Sequence, residues 1–262
     1  RKGKSERVVL VELFTGAQCP PCVAADIAFD AALKVYKPGD VVLVQDHLHI
    51  PGADALANPD TESRAKAYGD ALEGCPTMFV DGKVPADPLG GPASQGEESY
   101  DVLRKFINKE LEGAAGATLK VDVTRKGDRL ALQADVGGLK KPGANLRLRF
   151  ALVEDVAHYV GSNGQRFHHH VVRALPGEAK GFALTEKSST QKAAVSLRTL
   201  KTKLADYLKD YTFPRDKSKP FAEAEGDELP LDLKHLKVVA FVQDDDTKEI
   251  LQAAQVDVPG GK

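Results

Sequence analysis

The stretch Val8–Phe14 followed by Cys19-Pro20-Pro21-Cys22 constrains this chain more than any other. Val8, Val9, Leu10, Val11, Leu13 and Phe14 make an apolar run of strand length, bounded soon after by Gly16. Beyond the cysteines, Val23, Ile27, Ala31 and Val35 recur at spacings of four, which predicts a helix over about 21–36 stopped by Lys37-Pro38-Gly39. Two thiols separated by two residues, at a turn from strand into helix, can close a small disulfide ring. The unpaired N–H groups and dipole of the helix start favour an anion there, so the first thiol is expected to ionise below an ordinary cysteine. Pro21 falls in the first helical turn, where a missing N–H costs little. Position therefore makes Cys19 the exposed attacking thiolate and Cys22 the resolving thiol. A structural disulfide and half of a zinc site are the competing uses of the same residues. Zinc normally takes a second closely spaced ligand pair, and the only other cysteine is Cys75.

A chain of 262 residues is long for one domain and comfortable for two. Apolar residues at 42% and charged residues at 28% are ordinary for a soluble globular protein. The net charge of −2 gives no electrostatic reason to expect nucleic acid or an anionic membrane as partner. No apolar run approaches the ~20 residues that span a bilayer. The chain opens on Arg-Lys-Gly-Lys-Ser-Glu-Arg, so a cytosolic protein and one whose signal peptide has been removed are both expected readings.

Val41, Val42, Leu43 and Val44 suit a strand covered on both faces. A polar loop from His47 to Asn58 follows, and Asn58-Pro59 starts a helix carrying Ala65, Tyr68 and Leu72 on one side. Thr77–Val80 reads as a strand after Cys75-Pro76, and Asp81-Gly82 as a hairpin turn into a short second strand. A helix near 97–112 carries Tyr100, Leu103, Phe106, Ile107 and Leu111 and ends at Gly113. A strand ending in Cys-x-x-Cys, then Cys-Pro-Thr before a strand and an Asp-Gly hairpin, resembles the thioredoxin superfamily over residues 7–113. The resemblance implies that Pro76 is a cis-proline facing the Cys19–Cys22 pair, that Cys75 and Pro76 contact an extended substrate, and that Glu12 is the family's buried acid. Gln18 stands where the family usually has Trp, and the Pro20-Pro21 dipeptide matches neither the reducing nor the strongly oxidising members, so the direction of electron flow stays open.

From Leu119 the pattern changes to period two, through Leu130–Val136, Leu146–Leu152, Phe167–Leu175, Ala193–Leu197, Leu236–Val242 and Ile250–Val258. Short alternating segments with turns between them predict an antiparallel sandwich of immunoglobulin or fibronectin type, with a helical insertion near 199–212 and a charged loop over 214–230. The expected fold class is thus an α/β thioredoxin-like domain, 1–113, followed by a separate all-β sandwich, 117–262, across the linker Gly113-Ala114-Ala115-Gly116. This order of units, with Val-Glu-Leu-Phe-Thr-Gly and His-Val-Val-Arg-Ala, resembles secreted bacterial thioredoxin-like proteins. It implies a periplasmic or secreted address, with envelope association through the C-terminal part.

The expected function is thiol–disulfide exchange by Cys19 and Cys22 on protein thiols and disulfides, with an upstream redox partner and no cofactor. The alternative is a metal-binding or metallochaperone protein using Cys19, Cys22 and Cys75, with His47 or His49. Cys75 beside the pair is expected to be packing, a relay thiol or a third soft ligand. His168 and His170 share a strand face, and a solvated face is the simpler reading than a metal pair. Asp244-Asp245-Asp246 reads as a turn.

Overall fold

A computed structural model describes residues 6–87, 89–177, 180–211 and 229–260. The expected loop over 214–230 lies almost wholly outside them. Strand β1 (Val9–Thr15) runs parallel to β2 (Val41–His47), with Val9 opposite Val41 and Thr15 opposite His47. It is antiparallel to β3 (Thr77–Val80), and the expected strand after Asp81-Gly82 is reduced to one bridge between Val80 and Lys83. Helices α1 (Val23–Val35) and α3 (Gly96–Glu110) cover one face, burying Val9, Val11, Leu13, Val41, Leu43, Met78, Leu103 and Ile107. The buried stripe of α1 is Ala25, Ala28, Phe29 and Ala32, whereas Ile27 and Val35 of the expected stripe are exposed. Alanines let the helix approach the sheet closely, and that outweighs the larger residues on its other side. Helix α2 (Pro59–Tyr68), capped by Asn58 through the N–H groups of Asp60 and Thr61, covers the opposite face with Tyr68 against Phe14 and Phe79.

The remaining strands are β4 (Thr118–Lys126), β5 (Arg129–Gly137), β6 (Gly143–His158), β7 (Phe167–Ala174), β8 (Phe182–Leu184), β9 (Ser189–Ser196), β10 (Leu236–Asp244) and β11 (Ile250–Asp257). Helix α4 (Leu197–Asp210) follows β9, with the Ser196 hydroxyl accepting from the Thr199 N–H. Strands β4, β5 and β9 form a small antiparallel sheet. Its Leu130, Leu132 and Ala134 pack on Leu148, Phe150, Val238 and Ala240 of the larger sheet. Among the described residues no helix is long and apolar enough to cross a membrane.

The expected thioredoxin-like α/β domain followed by a separate sandwich is not what the chain forms. One sheet of eight strands, ordered β11-β10-β6-β7-β2-β1-β3 with β8 beside β6, runs through both halves of the sequence. Strand β7 lies parallel to β2, paired at Gln45 and Val171. The sheet also rolls until β11 returns to the start of β1. There Val8 N–H donates to Gln252 Oε1 (2.8 Å), Gln252 Nε2 donates to the Glu6 carbonyl (2.8 Å) and Ile250 N–H to the Asp81 carbonyl (3.2 Å). Inside the roll, Leu10, Val42 and Val44 share one apolar cluster with Ala151, Val153, Val172, Val239 and Phe241. The doubly apolar run 41–44 needed cover on both faces, and the second half of the chain supplies one of them.

Candidate functional site

Cys19 and Cys22 are joined in a disulfide where the chain leaves β1 for α1. A single 3-10 turn, Pro20–Cys22, precedes the helix, and Cys22 is its N-cap. Cys22 is fully buried, and Cys19, expected to be exposed, is only 1% accessible. The burial accompanies a loop that the sequence did not foretell at this place. Residues 159–166, between β6 and β7, close over residues 16–18. Asn163 N–H donates to the Ala17 carbonyl (3.1 Å), Ser162 N–H to Gln18 Oε1 (3.1 Å) and Gln18 Nε2 to the Tyr159 hydroxyl (3.3 Å). Gly161 is required for that approach, because a Cβ there would stand 2.0 Å from the Ala17 carbonyl oxygen.

The Cys75–Pro76 peptide bond is cis, and the Cys19 Sγ lies 3.7 Å from the Cys75 carbonyl oxygen. Pro21 and Pro76 line one groove of about 490 Å3 with Met78, Val84, Leu89 and Gly90. Gly91 N–H donates to the Pro21 carbonyl (2.7 Å), and a Cβ on Gly90 would crowd Pro76 Cγ at 2.7 Å, so the backbone of 90–91 forms one wall. Cys75 is free. Burial, then the carboxyls of Asp54 and Asp26, push its thiol up to about 12, which keeps it protonated and unreactive at neutral pH.

Glu12 is buried on the face away from α1, where Arg64 grips both its oxygens (2.7 and 2.9 Å) and the Tyr68 hydroxyl also donates to it. The carboxyl on the α1 side is Asp26, four residues after Cys22 and thus on the same helix face. Asp26 Oδ1 accepts from the Thr15 hydroxyl (2.9 Å) and Gln45 Nε2 (3.3 Å), while its Oδ2 is buried with no hydrogen-bond partner. Burial raises its pKa well above the usual carboxylate range.

Beside it, His47 Nδ1 meets Asp54 Oδ2 (2.9 Å) in a pair with no solvent exposure. Burial alone would raise the Asp54 pKa. The His47 imidazole, with N–H groups from Ala17 (2.6 Å) and Leu56 (2.8 Å), instead holds that carboxyl below its usual range. His47 Nε2 and Gln45 Oε1 are further buried atoms without a hydrogen-bond partner. The His168 ring packs edge-on to His47, and burial pushes its pKa down to about 3. His168 and His170 are buried rather than solvated, and His170 has a positive φ of 53°. His49 is taken up by the Tyr207 hydroxyl (2.9 Å) and the Asp54 N–H (3.0 Å), and burial lowers it to about 4. Of the expected metal set, Cys19 and Cys22 are joined to each other and His49 is bonded at both ring nitrogens, and among the described residues no three His, Cys, Asp or Glu side chains converge as a metal site.

The sequence singled out Cys19, Cys22 and Pro21 by motif and Cys75 and Pro76 by resemblance, which the fold brings together, and Glu12, which it places against Arg64 instead. Asp26 and Asp54 were missed. A carboxylate set among alanines, Ala24-Ala25-Asp26-Ile27-Ala28, was the available signal for the first. Nothing local marks Asp54 within its loop.

No family model matches the chain, and no curated protein does. Two solved structures resemble it over nearly its whole length. HBP35 of Porphyromonas gingivalis aligns with 99% of this chain and 78% of its own, at 17% identity and a TM-score of 0.65. A structural-genomics protein of Agrobacterium tumefaciens aligns with 97% of this chain and 96% of its own, at 17% identity and a TM-score of 0.53. At that identity the likeness concerns the fold alone.

Proposed function

We propose that this chain is a thiol–disulfide oxidoreductase working through Cys19 and Cys22, with local chemistry of the thioredoxin superfamily. The observation that carries the reading is a disulfide at a helix start, with a cis-proline groove on one side and the buried Asp26 carboxyl four residues along the helix from Cys22. In the oxidised protein a client thiolate attacks Cys19 Sγ. A client–Cys19 disulfide forms, the Cys19–Cys22 bond breaks, and the electron pair leaves on Cys22. Asp26 supplies the proton that the buried Cys22 thiolate needs. A second client thiolate then attacks the client sulfur, forming the client disulfide and releasing Cys19 as thiolate. The client is oxidised by two electrons and the protein is reduced by two. Run backwards, the same steps reduce a client, and the partner's potential sets the direction.

The groove beside Pro76 suits an extended client segment, and backbone of 90–91 offers it a wall. An oxidising compartment, periplasmic or secreted, is the setting in which such a disulfide would form. The test is trapping. Cys22→Ser should accumulate mixed disulfides between Cys19 and client thiols, whereas Cys19→Ser should accumulate none. Equal trapping by both variants, or failure of the wild type to reduce insulin in the presence of dithiothreitol, would refute the reading.

A further inference from the structure

Away from the disulfide, four separate elements converge on a pocket of about 310 Å3 with a marked excess of positive charge. Arg64 and Lys66 come from α2, Arg149 from β6, Lys180 from the β7–β8 connection, and Asp245 and Lys248 from the β10–β11 turn. Arg64 is already matched by Glu12. Arg149 donates to Asp245 Oδ1 (2.7 Å), but the same carboxylate also has Arg147 Nε at 3.7 Å, so one negative charge serves two guanidiniums. Arg64 and Arg149 further share a single neutral acceptor, Gln243 Oε1, at 2.7 and 3.2 Å. Lys248 Nζ reaches only a backbone carbonyl, that of Asp245 (2.7 Å). Among the described residues, neither Lys66 nor Lys180 is paired with a carboxylate. The whole chain carries a net charge of −2, so this concentration is local.

Arg149 is 9% exposed, and a guanidinium held that deep beside another is electrostatically incomplete. Burial, and then the Arg64 charge, lower its pKa from the usual arginine range. A compact multivalent anion in the pocket would relieve this, since guanidinium presents paired N–H donors to tetrahedral oxyanions and ammonium groups add point charges. The volume is at the lower end for small-ligand sites. We propose that this pocket binds a phosphate group, free or as a phosphate monoester, through Arg149, Lys66 and Lys248. The site stands apart from the disulfide and does not rest on the redox reading.

The test is calorimetric titration of the full chain with inorganic phosphate and with glycerol 3-phosphate at low salt, beside flotation with vesicles of phosphatidylcholine containing phosphatidic acid. Saturable binding with unit stoichiometry, weakening as salt rises, is expected. Lys66→Gln at an exposed position, and Lys248→Asn at a half-buried one whose positive φ of 65° Asn tolerates, should each weaken it about tenfold, or about 1.4 kcal/mol. Arg149→Gln should abolish it, and Lys120→Gln on distant β4 should leave it unchanged. Soluble esters binding without vesicle retention identify a free phosphate as the ligand. Vesicle retention without soluble binding identifies a lipid headgroup. No saturable binding to any probe, or binding that ignores Lys66 and Lys248, overturns the proposal.

Discussion

Asp26 bears an electrostatic burden that packing alone would not select. Its Oδ2 is buried without a partner, and its raised pKa means that ionisation works against the folded state. The sign follows directly. A group whose folded pKa lies above the unfolded value contributes stability that is fully present below the unfolded carboxylate pKa and is lost as pH rises through the folded one. Asn has no charge to bury, so Asp26→Asn should stabilise the protein, and more at pH 9 than at pH 5. Thermal unfolding across pH measures this, at about 2–4 °C per kcal/mol for a chain of this size. The same variant should slow reduction of the Cys19–Cys22 disulfide on the order of 10²-fold, by removing the proton source at Cys22. Unchanged stability at alkaline pH together with unchanged reduction would remove Asp26 from the site. The thiols and Pro76 were legible because Cys-x-x-Cys and Cys-Pro are contiguous in sequence. Asp26, His47 and Asp54 were not assembled from sequence, because only the fold brings Ala17 N–H, a loop carboxylate and a strand histidine together.

Among the elements, period-two alternation identified β4 through β7 and β9 through β11, although β6, β7 and β10 turn out to be buried on both faces. Short β8 was missed, and the buried face of α1 was misassigned because spacing alone cannot rank alanines against larger residues on the other side. The β6–β7 loop matters most for chemistry. It holds Ala17, two residues before the buried Cys19, through the Asn163 N–H, and the prediction is that thiol access to Cys19 requires the loop to lift. Gly161→Ala places a methyl against the Ala17 carbonyl and should displace the loop. Losing that one hydrogen bond, worth about 1 kcal/mol, should raise the rate of disulfide reduction by dithiothreitol about fivefold. Tm should move little, because the loop lies at the surface. A rate equal to that of the wild type would show that the loop does not gate Cys19.

At the scale of the whole molecule, the sequence suggested two separable units because the pattern changes near 117, and pattern carries no information on which edge strands later pair. The rolled sheet makes the halves share a core. Leu10, Val42 and Val44 are almost fully buried, against Val153, Val172, Val239 and Phe241 from beyond the proposed linker. Arg64, which matches Glu12, also loses Gln243 and the Phe241 ring below its guanidinium if residues after 113 are removed. Exposing three aliphatic side chains costs roughly 5–9 kcal/mol at 1.5–3 kcal/mol each. That compares with a total stability of about 5–15 kcal/mol for a folded chain. The fragment 1–113 alone is therefore expected to bind hydrophobic dyes and to lack a cooperative thermal transition, even with its disulfide intact. Co-expression with 117–262 should abolish the dye binding and bring back the transition, because the cut loses the Arg7 bond to the Ala114 carbonyl and the Gly116 bond to the Leu251 carbonyl but leaves the shared apolar cluster in place. Near-ultraviolet circular dichroism and calorimetry of the two preparations decide the matter. A cooperative transition in isolated 1–113 would show that the shared sheet is a docking of two autonomous units rather than one folding unit.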